Sequence, residues 1–310
     1  MQRPGCSACR PCSKRGRRIY PSIVDLMESG RRRNVEKVYG LIGFPVEHSL
    51  SPLMHNDAFA RLGIPARYHL FSVEPGQVGA AIAGVRALGI AGVNVTIPHK
   101  LAVIPFLDEV DEQARRIGAV NTIVNDNGRL VGYNTDGPGY VKALEEEMDV
   151  SLDGKRILVI GAGGGARGIY FSLLSTAAER IDMANRTVEK AERLVREGGD
   201  GRSAYFSLAE AETRLDEYDI IINTTSVGMH PRVEVQPLSL ERLRPGVIVS
   251  DIIYNPLETK WLKEAKARGA RVQNGVGMLV YQGVLAFEKW TGQWPDVNRM
   301  KQLVIEALRR

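Results

Sequence analysis

An apolar, β-branched run, Ile157-Leu158-Val159-Ile160, stops at Gly161-Ala162-Gly163-Gly164-Gly165-Ala166-Arg167-Gly168 and passes into a helical pattern that runs to Leu174. This commits the middle of the chain to a strand, a sharp turn and a helix. The spacing is the G-x-G-x-x-A form of a dinucleotide-binding turn. Gly161 makes the turn, Gly163 lets the backbone approach a pyrophosphate, and the small Ala166 lets helix and strand pack closely. The free N–H groups of the first helical turn face the phosphate charge. A glycine-rich loop by itself fits an ordinary flexible turn equally well; the strand before it and the helix after it favour the cofactor.

Strand and helix patterns alternate on both sides of this unit. The first half gives strands at 38–43, 68–73 and 92–97, and helices at 75–88 and 107–117. Another helix starts at Ser51-Pro52, with Ser51 as N-cap and Pro52 at N1, and ends at Gly63. Residues 119–124 and 130–133 make a hairpin-like pair around Asn125-Asp126-Asn127-Gly128. The second half gives strands at 156–160, 180–184, 220–223, 247–251 and 270–272, with helices between them such as 188–197 and 260–268. It closes on two helices, 278–290 and 297–308, without strands. Met300, Leu303, Val304, Ala307 and Leu308 follow the helical period in the last of these. The expected fold class is α/β with mostly parallel sheets. The boundary falls near 137–150.

Charge is unevenly distributed. Residues 1–37 hold 10 of the 41 Lys/Arg and 3 of the 36 Asp/Glu, which leaves residues 38–310 at 31 and 33, a charge of −2. The body is close to neutral, so the expectation is no nucleic-acid partner, and no apolar run is long enough to suggest a membrane span. The tail also carries all three cysteines, Cys6, Cys9 and Cys12, in a C-x-x-C-x-x-C run with no fourth Cys to complete a cluster site. It reads as a disordered extension, or as translated sequence upstream of an internal start such as Met27. An Arg-rich, acid-poor tail is also compatible with a transit peptide, but it lacks the apolar segment of a secretory signal. The cysteine-free remainder suits a reducing cytoplasm. The five histidines show no metal-ligand spacing, so no metal is expected.

Polar residues gather at strand ends, where open α/β sheets bind ligands. In Gly43-Phe44-Pro45-Val46-Glu47-His48-Ser49-Leu50-Ser51-Pro52, two hydroxyls stand at the mouth of a helix, an arrangement that suits a carboxylate. Capping of the helix by Ser51 explains the segment equally well. Period-2 alternation in Asn94-Val95-Thr96-Ile97-Pro98-His99-Lys100 puts Asn94 and Thr96 on one face, with Lys100 just past the strand. Asn121-Thr122 and Asn134-Thr135-Asp136-Gly137 add amides, hydroxyls and a carboxylate. Each of these, alone, also fits plain turn chemistry.

Taken in order, these four segments resemble the G-x-P-x-x-H-S-x-S-P, N-V-T-x-P-x-K, A-V-N-T and N-T-D-G motifs of the shikimate dehydrogenase family. The glycine turn, Asn185-Arg186-Thr187, Asn223 to Met229, Asp251 to Tyr254 and Gly275 to Gln282 extend the resemblance from about Val38 to the C-terminus. It implies a substrate-binding catalytic domain (38–136 with 275–310), a Rossmann-type NADP-binding domain (137–274), and an active site in the cleft between them. The C-terminal helices would return to the substrate domain. The family reduces 3-dehydroshikimate to shikimate with NADPH, in the route to chorismate and the aromatic amino acids, as monomers or homodimers. By this resemblance Ser49, Ser51 and Tyr254 hold the substrate carboxylate. Thr96, Asn121, Gln282, Lys100 and Asp136 bind its ring hydroxyls, and Lys100 and Asp136 are the catalytic pair. Gly161, Ala162, Gly163, Gly164, Gly165 and Ala166 form the phosphate loop. Asn185, Arg186, Thr187, Lys190, Thr224, Thr225, Ser226, Val227, Gly228, Ile252, Gly275 and Met278 complete the cofactor site.

The residue types argue in the same direction. Reducing a ketone needs a proton for the developing alkoxide, and an ammonium within hydrogen-bond reach both stabilises that oxyanion and supplies the proton. An NAD enzyme commonly ends its second Rossmann strand with an acid that holds the ribose 2′-OH. Here that position reads Asn185-Arg186-Thr187 with Lys190 one helical step on, which favours NADP; Asp182 lies inside the strand. The nearest rival is a quinate/shikimate dehydrogenase using NAD or both cofactors. A non-catalytic ligand sensor on the same fold would have lost Lys100 or Asp136.

Overall fold

A computed structural model describes residues 36–309; the basic tail before them, with Cys6, Cys9, Cys12 and Met27, lies outside the described residues. In the first of two six-stranded sheets, β1 (Lys37–Gly43) pairs in parallel with β2 (Ala66–Ser72) and β3 (Gly92–Val95). Beyond β3 the pairing turns antiparallel to β5 (Thr122–Asp126) and then β6 (Arg129–Tyr133), and the two-residue β4 (Glu109–Val110) joins the edge parallel to β6. The β5–β6 turn needs two left-handed residues. Asn127 (φ 51°) and Gly128 (φ 95°) supply them.

Helices α1 (Ser51–Arg61), α2 (Val78–Ala87) and α3 (Glu112–Ile117) belong to this half, and α4 (Asp136–Met148) leads out of it. Two expectations need correction. Ser51 is the first helical residue of α1, not its N-cap; Leu50 precedes it without a side-chain cap, and the Ser51 N–H bonds to the Ser49 hydroxyl at 3.3 Å. A helix expected over 107–117 is instead the strand β4 followed by the short α3. Glu109 and Val110 pair with Val131 and Gly132, and the Asp111 carboxylate then starts the helix by accepting from the N–H groups of Gln113 and Ala114 at 3.0 and 3.4 Å.

The second sheet is parallel throughout, in the order β12-β11-β10-β7-β8-β9. Its strands are β7 (Arg156–Ile160), β8 (Arg180–Ala184), β9 (Tyr205–Phe206), β10 (Ile220–Asn223), β11 (Ile248–Asp251) and β12 (Arg271–Gln273). The edge pair β9 is too short to leave a sequence signal. Helices α5 (Gly164–Leu173), α6 (Val188–Gly198), α7 (Leu208–Glu212) and α8 (Lys260–Ala267) cover its two faces. Alternation divides the strands cleanly. Ile157, Val159, Ile181, Ile220 and Ile222 pack with Ile169, Tyr170 and Leu173, whereas Leu158, Ile160, Ile221 and Val249 pack with Leu215, Tyr218 and Trp261. Each such side chain removed from water contributes about 1.5–3 kcal/mol. The order reverses beside β7, so a crevice opens at the glycine turn, above the carboxyl ends of the strands.

The closing helices α9 (Val276–Thr291) and α10 (Val297–Leu308) pack on the first sheet, not on the second, to which they are adjacent in sequence. Val280, Val284, Phe287, Trp290, Met300 and Val304 join Tyr39, Met54, Phe59 and Tyr68 in one core, and the Trp290 indole N–H donates to the Ile123 carbonyl at 3.0 Å. Between the two sheets α4 crosses both α5 and α9 at very short range. A Cβ on Gly137 would lie 2.2 Å from the Gly168 carbonyl, and one on Gly139 would lie 2.6 Å from the Gln282 nitrogen. No helix among the described residues is long and apolar enough to cross a membrane.

These crossings make opposite predictions for two glycines. Gly137→Ala pushes a methyl into backbone and is expected to cost about 1–3 kcal/mol. Gly84→Ala, inside α2 with nothing within 4 Å of its Cβ, is expected to gain about 0.5–1 kcal/mol. Urea unfolding of both variants reads the difference, and a harmless Gly137→Ala would show that the helices do not meet so closely.

Candidate active site

The turn after β3 carries Lys100 and is fastened at both ends. The buried His99 places its Nε2 2.6 Å from the Val73 carbonyl, and the Lys100 carbonyl accepts from the Val120 N–H at 2.8 Å. The Lys100 ammonium then reaches Asp136 Oδ2 at 2.7 Å. Asp136 is the first residue of α4, where the helix dipole favours a carboxylate. Its other oxygen accepts from Asn121 Nδ2 at 2.9 Å. The Asn121 amide cannot turn round, because its Oδ1 already accepts from the Thr135 N–H at 2.7 Å. Behind this layer, Asn94 donates to the Asn121 carbonyl (3.2 Å) and to Thr122 Oγ1 (3.1 Å), and accepts from the Tyr68 hydroxyl at 2.8 Å.

Ser49, Ser51, Thr96, Lys100, Asn121, Asp136, Tyr254 and Gln282 all line one cavity of about 390 Å³, together with Ile252, Gly275 and Met278. The Ser49 and Ser51 hydroxyls are 3.2 Å apart at the mouth of α1, and burial raises the Tyr254 phenol above its ordinary range, so it stays a neutral donor. Met278 and Gln282 stand one turn apart on α9. Gly275, just before that helix, lies so close to the Ile252 carbonyl that a Cβ would sit 2.0 Å from it. The cavity therefore has four hydroxyls, an ammonium–carboxylate pair, two amides and an apolar wall that includes Leu41 and Val95.

The glycine turn lies on the second sheet. Gly161 has φ +113°, and a Cβ there would lie 2.5 Å from the Thr224 hydroxyl; only glycine fits both demands. Gly163 and Gly164 have nothing within 4 Å of a Cβ position, so their backbone is open to a close-lying group, while Ala166 is fully buried between helix and sheet. With the N–H groups of the first turn of α5, this is a cradle that fits a pyrophosphate. A second cavity of about 500 Å³ adjoins it, lined by Gly161, Asn185, Arg186, Thr225, Ser226 and Val227, and by Arg232. Thr224 is buried and spends its hydroxyl on the Ile160 carbonyl (2.6 Å), holding the turn from beneath. Gly228 shapes the following loop with φ +97°. Ala162 packs against the core below, a Cβ on Gly165 would meet Ile252 at 3.4 Å, Thr187 precedes α6 as its N-cap, and Lys190 is exposed on its first turn. Asp182 is buried in an ion pair with Arg180 at 2.6 Å and accepts from the Tyr218 hydroxyl, so it is unavailable to a ribose.

Sequence reasoning left three contributors without a role. Asn94 and Tyr68 form the layer beneath Asn121, and a tyrosine on the inward side of a half-exposed strand was the signal that its hydroxyl needs a partner. Arg232 sits in a loop whose path no local pattern specifies.

A parallel sheet with a glycine turn, facing a cavity built round a lysine–carboxylate pair, defines a two-lobed dinucleotide-dependent oxidoreductase. Residues 41–123 match the shikimate dehydrogenase substrate binding domain, 142–252 the shikimate / quinate 5-dehydrogenase domain, and 275–305 the shikimate 5′-dehydrogenase C-terminal domain. The shikimate dehydrogenase (NADP(+)) of Geobacillus kaustophilus is 95% identical over 276 residues, 89% of this chain and 100% of that protein. The crystal structure of shikimate 5-dehydrogenase from Thermus thermophilus in complex with NADP(H) and shikimate superposes with a TM-score of 0.80 at 37% identity, covering 87% and 99% of the two chains. Quinate dehydrogenase from Corynebacterium glutamicum in complex with NAD gives 0.82 at 30% identity, covering 87% and 99%. The chain belongs to the shikimate dehydrogenase family.

Asp251, at the end of β11 just before Ile252, has a pH signature of its own. Burial raises its carboxyl to about 6, against the opposing hydrogen bonds from Ile253, Thr259 and Asn223. A folded-state value above the unfolded one means that stability is fully present below the unfolded value and falls as pH rises through about 6. Asp251→Asn is expected to flatten that dependence, shifting the wild-type-minus-variant difference by up to about 3 kcal/mol between about pH 4 and pH 7. Chemical unfolding at several pH values measures it; parallel curves would remove Asp251 as the titrating group.

Proposed function

We infer that this protein catalyses the reversible, NADPH-dependent reduction of 3-dehydroshikimate to shikimate. The observation that carries the reading is the 2.7 Å Lys100–Asp136 contact inside the same cavity as the Ser49, Ser51 and Tyr254 hydroxyls. Those three hydroxyls suit the carboxylate of a ring acid. Thr96, Asn121, Gln282, Lys100 and Asp136 then face its ring oxygens. Met278, Gly275 and Ile252 form the wall toward the glycine turn, where the nicotinamide would enter.

When bound, NADPH supplies the hydride to the ketone carbon. Lys100 places its ammonium on the ketone oxygen, stabilises the charge that develops there and gives up a proton to form the alcohol. Asp136 orients that ammonium and accepts from a neighbouring ring hydroxyl, while Asn121 keeps the carboxylate turned inward. In the reverse direction the pair takes the hydroxyl proton back. The two groups work as one acid–base couple.

Arg186 at the end of β8, with no acid at 185–187 and Asp182 buried elsewhere, supports NADP over NAD. The likeness to quinate dehydrogenase keeps one specific alternative, quinate with NAD, within the test. The cysteine-free sequence after Cys12 suits a reducing cytoplasm.

Purified enzyme assayed with shikimate and quinate against NADP⁺ and NAD⁺ is expected to be fastest with shikimate and NADP⁺. Equal rates with NAD⁺ would defeat the cofactor reading, and preference for quinate would defeat the substrate. Lys100→Ala is expected to lower kcat by about 10²–10⁴-fold with an unchanged circular dichroism spectrum. Near-normal turnover would take Lys100 out of the chemistry.

A further inference from the structure

The cavity beside the glycine turn is lined by two arginines. Arg186 comes from the end of β8, and Arg232 from the loop that runs from Ser226 to Pro237. The loop has a built path. Its Met229 N–H donates to the Ser226 carbonyl at 3.2 Å and its His230 N–H to the Asn255 carbonyl at 3.1 Å. Lys260 Nζ donates to the Glu234 carbonyl at 3.1 Å, and Gln236 Nε2 to Glu264 Oε2 at 2.9 Å. Held on both sides of Arg232, the backbone keeps that side chain at the cavity.

Neither Arg186 nor Arg232 forms an ion pair among the described residues, although Glu189 and Glu234 are near each in sequence. Most arginines of this lobe are used differently: Arg180, Arg196, Arg202, Arg214 and Arg268 all pair with carboxylates. Two cations turned toward one cavity repel each other unless an anion lies between them. A phosphate monoester carries about −1.5 to −2 charges near pH 7 and offers three strong acceptors, whereas a ribose hydroxyl carries none.

We propose that Arg232 joins Arg186 in a clamp on the 2′-phosphate of NADP, so that the 226–237 loop takes part in choosing NADP over NAD. The inference rests on the NADP reading above and adds to it a residue outside the Asn185–Thr187 segment. Leu208, Val235 and Pro237 give the same cavity an apolar surface for the adenine. A guanidinium matches a phosphate with two parallel N–H donors, so lysine at this position retains the charge but not the fork.

Calorimetric titration of the full chain with adenosine 2′,5′-bisphosphate and adenosine 5′-monophosphate tests this without turnover. Arg232→Gln is expected to weaken the bisphosphate about tenfold, the order of one charge-assisted contact, and the monophosphate by less than about twofold. Arg232→Lys is expected to fall between wild type and Arg232→Gln. Lys263→Gln, which removes an exposed charge from α8, is expected to change neither. Equal weakening of both ligands would assign Arg232 to another part of the nucleotide and overturn the proposal. So would an unchanged bisphosphate affinity, or an equal effect of Lys263→Gln. If wild type itself fails to prefer the bisphosphate, the NADP reading falls with it; a normal wild-type preference with an indifferent Arg232→Gln sinks this inference alone.

Discussion

The contact between Lys100 and Asp136 joins two parts of the chain that are each fixed by something else. Lys100 hangs from a turn fastened to Val73, just after β2, and to Val120, just before β5, whereas Asp136 opens the helix that passes between the sheets. The pair is 28% and 19% exposed, so water screens it and its contribution to stability is on the order of 1 kcal/mol. Its value lies in chemistry. The carboxylate is placed by α4, and α4 is placed by crossings too tight for any side chain at Gly137 or Gly139. A shift of that helix would move the carboxylate, Gln282 and the wall of the cofactor turn together.

Preorganisation continues behind the cavity. Asn121 is locked by Thr135, Asn94 supports the Asn121 backbone, and Tyr68 holds Asn94. His55 stacks on Tyr68 with ring centroids 4.5 Å apart, and neither of its ring nitrogens has a partner among the described residues. Burial lowers its pKa to about 3, so it is neutral at every pH the fold is expected to meet. It serves as a flat aromatic filler beneath the hydroxyl-bearing start of α1. Unsatisfied polar atoms there carry a stability cost, and what surrounds them is a stiff aromatic layer under the site.

Much of the second sheet was legible because its determinants are local. Apolar runs bounded by glycine and charge mark β7, β8 and β10 to the residue, and the glycine turn announces both a backbone conformation and an open cradle. Elements governed by partners far away in sequence were harder. Glu109 and Val110 look helical until β6 offers them an edge, and Ser51 looks like a cap until Ser49 takes the hydrogen bond. Tyr205 and Phe206 form a strand only because β8 lies beside them.

The amino-acid sequence alone determined the alternating α/β plan, the glycine cradle and the chemical types of the site residues, because period, turn chemistry and short motifs are properties of neighbouring residues. Tertiary structure decided which of those residues share a cavity. It sent the C-terminal helices back to the first sheet, buried Asp182 and Thr224 in supporting bonds, and brought Arg232 to the cavity that Arg186 lines. Such choices depend on packing between segments separated by dozens of residues, where burial and close helix crossings, not local propensity, set the geometry.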